Sequence, residues 1–273
     1  MIKLFKELVL RRNLLWELVL RDLKLRYARL GLGFFWAFLS PLVTVAILYF
    51  VFSYLLKIKT QEAPFILYLM SALFPWGVLQ DSVIGSVDSL ISNKNLLRES
   101  RFPHYFIPLS KVLANTINFL PILIIVIVVS MFVLRGSSEF IIFLPVVMLL
   151  HLIVTFSLAL IFSIVYLRFR DIKYIVEHTF MLLFYLTPIF YSIYLVKDLL
   201  PKPFFWLYMY NPLVGLLLFY RIIILKGYYD FVYKDVGLKV FLLVPVIFGG
   251  LIFYIALKFY EKRKGEINDY LSY

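Results

Sequence analysis

Six ionisable side chains lie within or beside apolar stretches of this chain: Asp81, Asp88, Lys111, His151, Glu177 and His178. Carboxylates and imidazoles in that setting are the raw material of a proton or cation relay, because a charge held in hydrocarbon is costly without a purpose. Asp88, Lys111 and Glu177 fall toward the ends of their stretches, where water or a partner solvates them. Only Asp81 and His151 lie deep, and a hydrogen bond between packed helices explains two isolated residues as well as a relay does. Covalent chemistry has less support. No GxxxxGK[ST] loop is present to cradle nucleotide phosphates, no HExxH to hold zinc and no GxSxG to present a nucleophile. His104, His151 and His178 have no metal-ligand spacing, so no metal site is expected. With no cysteine, disulfides and thiolate metal sites are excluded.

The elements that must position these residues are membrane helices. Hydrophobic residues make up 63% of the chain and charged ones 16%, a balance that a soluble domain does not have. Residues 21–41 show the pattern most clearly. Arg21, Lys24, Arg26 and Arg29 are spaced to meet anionic lipid headgroups, with Leu23, Leu25, Tyr27 and Leu30 as apolar cover. No charge then appears from Phe34 to Leu56, a length that crosses a bilayer core. Apolar segments of spanning length cover residues 34–56, 65–87, 105–134, 140–167, 174–196 and 238–259. A seventh, 204–225, is broken by Asn211-Pro212, since the proline ring disfavours helix at Asn211 and removes a backbone donor. Both termini are basic and are expected on the cytoplasmic side, which requires an even number of spans. Lys and Arg then number eighteen inside against eight outside, the sign of the positive-inside rule. The net charge of +12 is read as headgroup contact and topology control, with no nucleic acid. No cleavable signal peptide is expected at the N-terminus.

The expected fold is therefore all-α, a polytopic membrane protein with six transmembrane helices. It is one membrane domain over 1–273: a cytoplasmic interface helix in 1–33, spans one to five in 34–196, an outer re-entrant helical hairpin region in 197–237, and span six with a cytoplasmic tail in 238–273. The loop at 91–104 predicts a short helix capped by Asn93 and ended by Pro103, with Leu96 and Leu97 exposed between Lys94, Arg98, Glu99 and Arg101. Such a helix either rests its leucines in the headgroups or docks into a groove on a cytosolic partner. Aromatics form two stripes at helical spacing. Phe34, Phe38, Tyr49 and Phe52 share a face of span one, and Phe180, Phe184, Thr187, Tyr191 and Tyr194 a face of span five. Lipid contact and packing account for such stripes. So does a conduit in which flat rings accept the faces of sugars through many small contacts.

Four segments, in order, carry a resemblance: RDLKLRYARLGLGFFWAFLSPL, ISNKNLLRESRFPHYFIPLS, YLRFRDIKY and YNPLVGLLLFYR. Together they resemble the permease subunit of ABC-type polysaccharide exporters, among them the O-antigen (Wzm-like), teichoic-acid and capsule exporter permeases. The resemblance covers nearly the whole chain, although no single motif is diagnostic. It implies a pair of six-span permeases with two cytosolic ABC ATPase subunits that bind ATP and Mg; no cofactor is expected in this chain, which is not itself an enzyme. It implies that Asn93, Lys94, Asn95, Leu96, Leu97, Arg98, Glu99 and Arg101 form the ATPase-coupling helix, with Arg170 and Asp171 in the second cytoplasmic loop. Asn211, Pro212 and Arg221 match the outer gate. The partners expected are the ATPase, a second copy, a lipid-linked polysaccharide and membrane lipids, in a bacterial inner membrane crossed several times. An ion-coupled secondary transporter working through Asp81 or His151 is the alternative, and a polytopic membrane enzyme a more distant one.

Overall fold

A computed structural model describes residues 2–27, 35–58, 60, 63–97, 102–236 and 239–272. The expectations placed on Arg29, Phe34, Arg98, Glu99 and Arg101 fall outside the described residues, as does the side chain of Phe38. Among the described residues every regular element is helical and none is a strand. In order they are α1 (Ile2–Leu10), α2 (Arg12–Tyr27), α3 (Trp36–Tyr49, continued by a π-helical segment Phe50–Leu55), α4 (Phe65–Val87), α5 (Ser89–Ser92), α6 (Lys94–Leu97) and α7 (Phe106–Val133). After a 3₁₀ turn (Glu139–Phe143) follow α8 (Leu144–Arg168), α9 (Ile172–Leu186), α10 (Ile193–Leu199), α11 (Lys202–Met209), α12 (Pro212–Ile224), α13 (Tyr228–Val236) and α14 (Lys239–Ser272).

Among the described residues four helical stretches are long and apolar enough to cross a membrane: Phe65–Val87, Phe106–Val133, Glu139–Arg168 and Leu242–Ile267. They coincide with the second, third, fourth and sixth expected spans. The first and fifth are shorter. The apolar part of α3 runs Leu39–Leu55, and α9 has 15 residues, about 22 Å at 1.5 Å per residue against a core of about 30 Å. Pro188 ends α9, because the residue before a proline is pushed out of helical geometry and Thr187 is extended at φ −107, ψ 148. The six-helix expectation therefore meets four clear spanning helices, or five if α11 and α12 count as one. Those two helices meet at a 74° bend on Asn211, whose side-chain oxygen accepts from Leu213 N–H at 3.0 Å and caps α12 behind Pro212.

The centre of the bundle is α4, which lies against both α7 and α8, while α14 runs along α8. Gly249 permits that last approach. A Cβ there would stand 2.6 Å from Leu150 Cδ1 and 3.3 Å from Val154 Cγ2. At one end a second apolar cluster gathers Leu18, Leu90, Leu97, Tyr105, Leu167 and Ile267. It joins the basic N-terminal helices, the 88–105 connection, the end of α8 and the extension of α14. We call this the basic end. The N-terminal region is two helices rather than one, and it packs on the protein as well as facing outward. Leu18 and Val19 are buried, Ser110 Oγ donates to Asp22 Oδ2 at 2.8 Å, and Tyr105 OH donates to Glu7 Oε2 at 3.2 Å. Burial, and then the Glu7 carboxylate, push the Tyr105 phenol well above its usual range.

Candidate functional site

Between α3, α4 and α7 lies a cleft of about 540 Å³, which α2 and α9 also border. Helical periodicity builds it: Phe74, Gly77, Val78 and Asp81 follow one face of α4, and Asn115, Asn118, Phe119 and Ile122 one face of α7. Ser40 and Thr44 come from α3, Phe184 from α9 and Arg26 from α2. Five aromatic residues, Trp36, Phe74, Trp76, Phe119 and Phe184, stand among the aliphatic and polar residues of its walls. Trp76 is oriented by the hydrogen bond from its Nε1 to Gln80 Oε1 at 2.7 Å, and its ring stands against Phe180 and Phe184, with centroids 5.9 and 6.2 Å away. Asn115 Nδ2 donates to Ser82 Oγ at 3.0 Å. A polar mouth of about 310 Å³ shares Arg26, Asp81, Asn115 and Asn118 with the cleft and adds Asp22 and Lys111. Aromatic faces with amides between them suit the C–H faces and hydroxyls of sugars.

A second polar cluster fixes the broken segment after α9. Arg221 on α12 is fully buried. Its Nη2 donates to the carbonyls of Pro188 and, at 3.0 Å, of Ile189, and its guanidinium carbon lies 3.6 Å from the Tyr68 ring centroid. Tyr68 OH donates to Tyr191 O at 3.0 Å, and Tyr191 OH donates to Tyr185 O at 2.9 Å and meets Tyr208 OH at 3.1 Å. Two carbonyls and a π face replace part of the cation's water at Nη2, while Nε and Nη1 are buried without a hydrogen-bond partner. The Asn211–Arg221 hairpin is thereby bolted to the 187–191 break.

The aromatic stripes do not survive as stripes. Because α9 stops at Leu186, Tyr191 and Tyr194 lie beyond a turn and share no helical face with Phe180 and Phe184. Phe180 is buried against Trp76, and Tyr194 OH donates to Phe231 O at 2.7 Å. On α3 the π-helical segment breaks the 3.6-residue register. Tyr49 is exposed, while Phe52 turns to Phe190, with centroids 4.6 Å apart. Of the expected conduit residues whose side chains are described, only Phe184 lines the cleft. Trp76, Gln80, Asn115 and Asn118 escaped the sequence reading, which searched for charges; amides spaced i, i+3 in an apolar helix were the available signal.

The coupling segment is also corrected in part. Leu97 is buried in the basic-end cluster and Leu96 is half-buried against it. The leucines point inward because α6 is one short turn lying on α5 and α14. Asn93 starts α6 with its carbonyl, which accepts from Leu96 and Leu97, while its side chain donates back to Ser89 O at 2.8 Å. Lys94 and Asn95 are exposed, as are Arg170 and Asp171, and the Arg170 guanidinium lies over Tyr166, 5.2 Å from the ring centroid. Arg21 turns toward Asp22 at 3.3 Å, and Lys24 and Arg26 are exposed.

The ionisable residues considered for a relay go separate ways. Lys173 Nζ donates to Asp88 Oδ2 at 2.7 Å, a bond that raises the ammonium pKa above its usual value. His151 Nδ1 meets Tyr220 OH at 2.9 Å, His178 Nδ1 meets Tyr174 O at 2.8 Å, and Asp81 opens into the cleft.

Comparison with known proteins adds a family and relatives. A family model described as ABC-2 type transporter matches residues 13–225. The O-antigen export system permease protein RfbA of Klebsiella pneumoniae is 32% identical over 217 residues, 79% of this chain and 82% of that protein. The protein of the same name from Myxococcus xanthus is 31% identical over 223 residues, 82% of this chain and 84% of its own length. The polysialic acid transport protein KpsM of Escherichia coli is 23% identical over 219 residues, covering 77% of this chain and 81% of that one.

Proposed function

The chain belongs to the ABC-2 type transporter family, and from that premise we propose that it is the transmembrane permease subunit of an ATP-driven polysaccharide exporter. It moves a lipid-linked, O-antigen-like glycan from the cytoplasm to the outer face of the bacterial inner membrane. The observation that carries this reading is the cleft, whose tryptophan, phenylalanine and amide walls suit sugar rings, in a chain whose relatives include O-antigen export permeases. Six spans complete the topology, with α3 and its π-helical continuation as the first and the 174–196 segment as the fifth. The α11–α12 pair re-enters from the outer side, and both termini are cytoplasmic. The chain performs no covalent chemistry. A separate cytosolic ATPase, loaded with ATP and Mg, docks at the basic end on the 93–101 segment and on Arg170 and Asp171. The exposure of Lys94, Asn95 and Arg170 supports that placement. A second copy meets the exposed apolar residues of α3 and α9, Ile47, Phe50, Met181 and Leu182 among them.

The test is reconstitution. The chain is co-expressed with a Walker A-bearing ABC ATPase, placed in liposomes, and assayed for ATP-dependent movement of a lipid-linked glycan. Movement that requires both chains supports the reading. Movement driven by a proton or sodium gradient without the ATPase replaces it with ion coupling.

A further inference from the structure

Asn118 lines both the cleft and its polar mouth. It is only 9% exposed, and neither its amide nitrogen nor its amide oxygen has a hydrogen-bond partner. It stands about 18 Å along α7 from Phe106, roughly the middle of a bilayer core. Burying a whole amide unpaired at that depth is costly, and folded chains rarely leave one without a purpose. Leucine has the same four branched side-chain heavy atoms without the polarity, although it is the bulkier residue. The neighbouring amides Asn115 and Gln80 already have protein partners, so Asn118 is the one left with both a donor and an acceptor to offer. The charges lie at the mouth, where Arg26 and Lys111 are balanced by Asp22 and Asp81. Apart from Arg26 and Asp81, the residues lining the cleft are neutral.

We propose that Asn118 forms a subsite for one neutral sugar unit inside a single protomer, in the cleft that Trp76 and Phe119 also line. The amide both donates and accepts, so it reads a sugar that presents a donor next to an acceptor, as an acetamido group or a vicinal diol does. The subsite selects among glycan units entering the path and rests on the exporter reading above. Arg26 and Lys111 are offset by Asp22 and Asp81, so the site has no net charge to favour an anionic headgroup.

The test uses the full chain in nanodiscs of phosphatidylethanolamine and phosphatidylglycerol, free of sugar detergents. Chitobiose, mannobiose and inorganic pyrophosphate are titrated separately, and the fluorescence of Trp36 and Trp76 is followed. One of the disaccharides should give a saturable response that weakens at least tenfold in Asn118→Leu and in the smaller Asn118→Ala. Without ligand, at least one of Asn118→Leu and the smaller Asn118→Ala should melt no lower than the parent, because each removes an unpaired amide and only leucine adds bulk. A lower melting temperature for both variants means that the fold itself uses the amide, and overturns the subsite. So does parental affinity in both variants, the lack of any saturable sugar response, or an Asn118-dependent response to pyrophosphate alone. ATP-dependent glycan export by the assembled exporter is measured alongside. Export without Asn118-dependent sugar binding removes the subsite and leaves the exporter; Asn118-dependent binding without export does the reverse.

Discussion

Arg221 shows how far a single residue can depend on its surroundings. In the sequence it is one cation at the end of an apolar run, assigned to an outer gate by resemblance. In the fold it is the bolt between α12 and the break at Pro188. Replacing it with Met keeps the length of the side chain but leaves the carbonyls of Pro188 and Ile189 unpaired in an apolar setting and removes the contact with Tyr68. The expected cost is about 2–3 kcal/mol of stability, read as a lower melting temperature of the purified chain. Arg221→Lys should fall between the two, because an ammonium cannot reach both carbonyls in a plane. Leu97 gives the complementary case. Leu97→Asp puts a carboxylate into the basic-end cluster and should abolish folded protein, by several kcal/mol. Lys94→Glu together with Arg170→Glu alters exposed side chains, loses the Arg170 contact with Tyr166, and should lower stability by no more than about 1 kcal/mol, while reducing co-purification of the ATPase. Unchanged recovery of the ATPase would move the docking surface elsewhere.

At the scale of elements, the decisive contacts are few and each joins two helices. Gly249 sets the distance between α14 and α8. Gly249→Leu must displace Leu150 and Val154, and the overpacking should cost about 1–3 kcal/mol despite the better helix propensity of leucine. Thermal unfolding checks this, and a variant as stable as the parent would show that the two helices separate freely. The Lys173–Asp88 bond joins the start of α9 to the end of α4. Its ammonium pKa is raised in the fold, so its contribution is complete below about pH 10 and is lost as pH rises through the folded value. Both side chains are about a third exposed, so Lys173→Met should cost less than about 1 kcal/mol. A larger loss that persists at pH 7 in high salt would assign the residue a packing role instead.

For the molecule as a whole, topology is the property on which the functional reading turns. Single cysteines in place of Lys202 and Lys226, in a chain that has none of its own, report the two ends of the α11–α12 pair. Both should react with an impermeant thiol reagent from outside, and a cysteine in place of Ser272 should not. Reaction at only one of the first two makes the 74° pair a broken span and moves the C-terminus across the membrane.

Much of this was determined by the sequence alone. Apolar stretches of spanning length set where α4, α7, α8 and α14 lie, because backbone groups in hydrocarbon must pair within the segment and helices are what a single segment can form. Asn211-Pro212 marked the bend for an equally local reason, the steric reach of one proline ring. What depended on distant parts of the chain was beyond a reading along it. Pro188 was visible, but that its break would be held by an arginine 33 residues later was not. The aromatic stripes assumed a 3.6-residue register, which the π-helical segment and the Thr187 break interrupt. Leu97 looked exposed among charges until Leu18, Tyr105 and Ile267 covered it. The cleft is the plainest example: its amides come from α4 and α7, and whether each finds a partner is decided by helix packing rather than by spacing. Local sterics and hydropathy are written in the order of residues, whereas burial and hydrogen-bond pairing belong to surfaces that exist only once the helices meet.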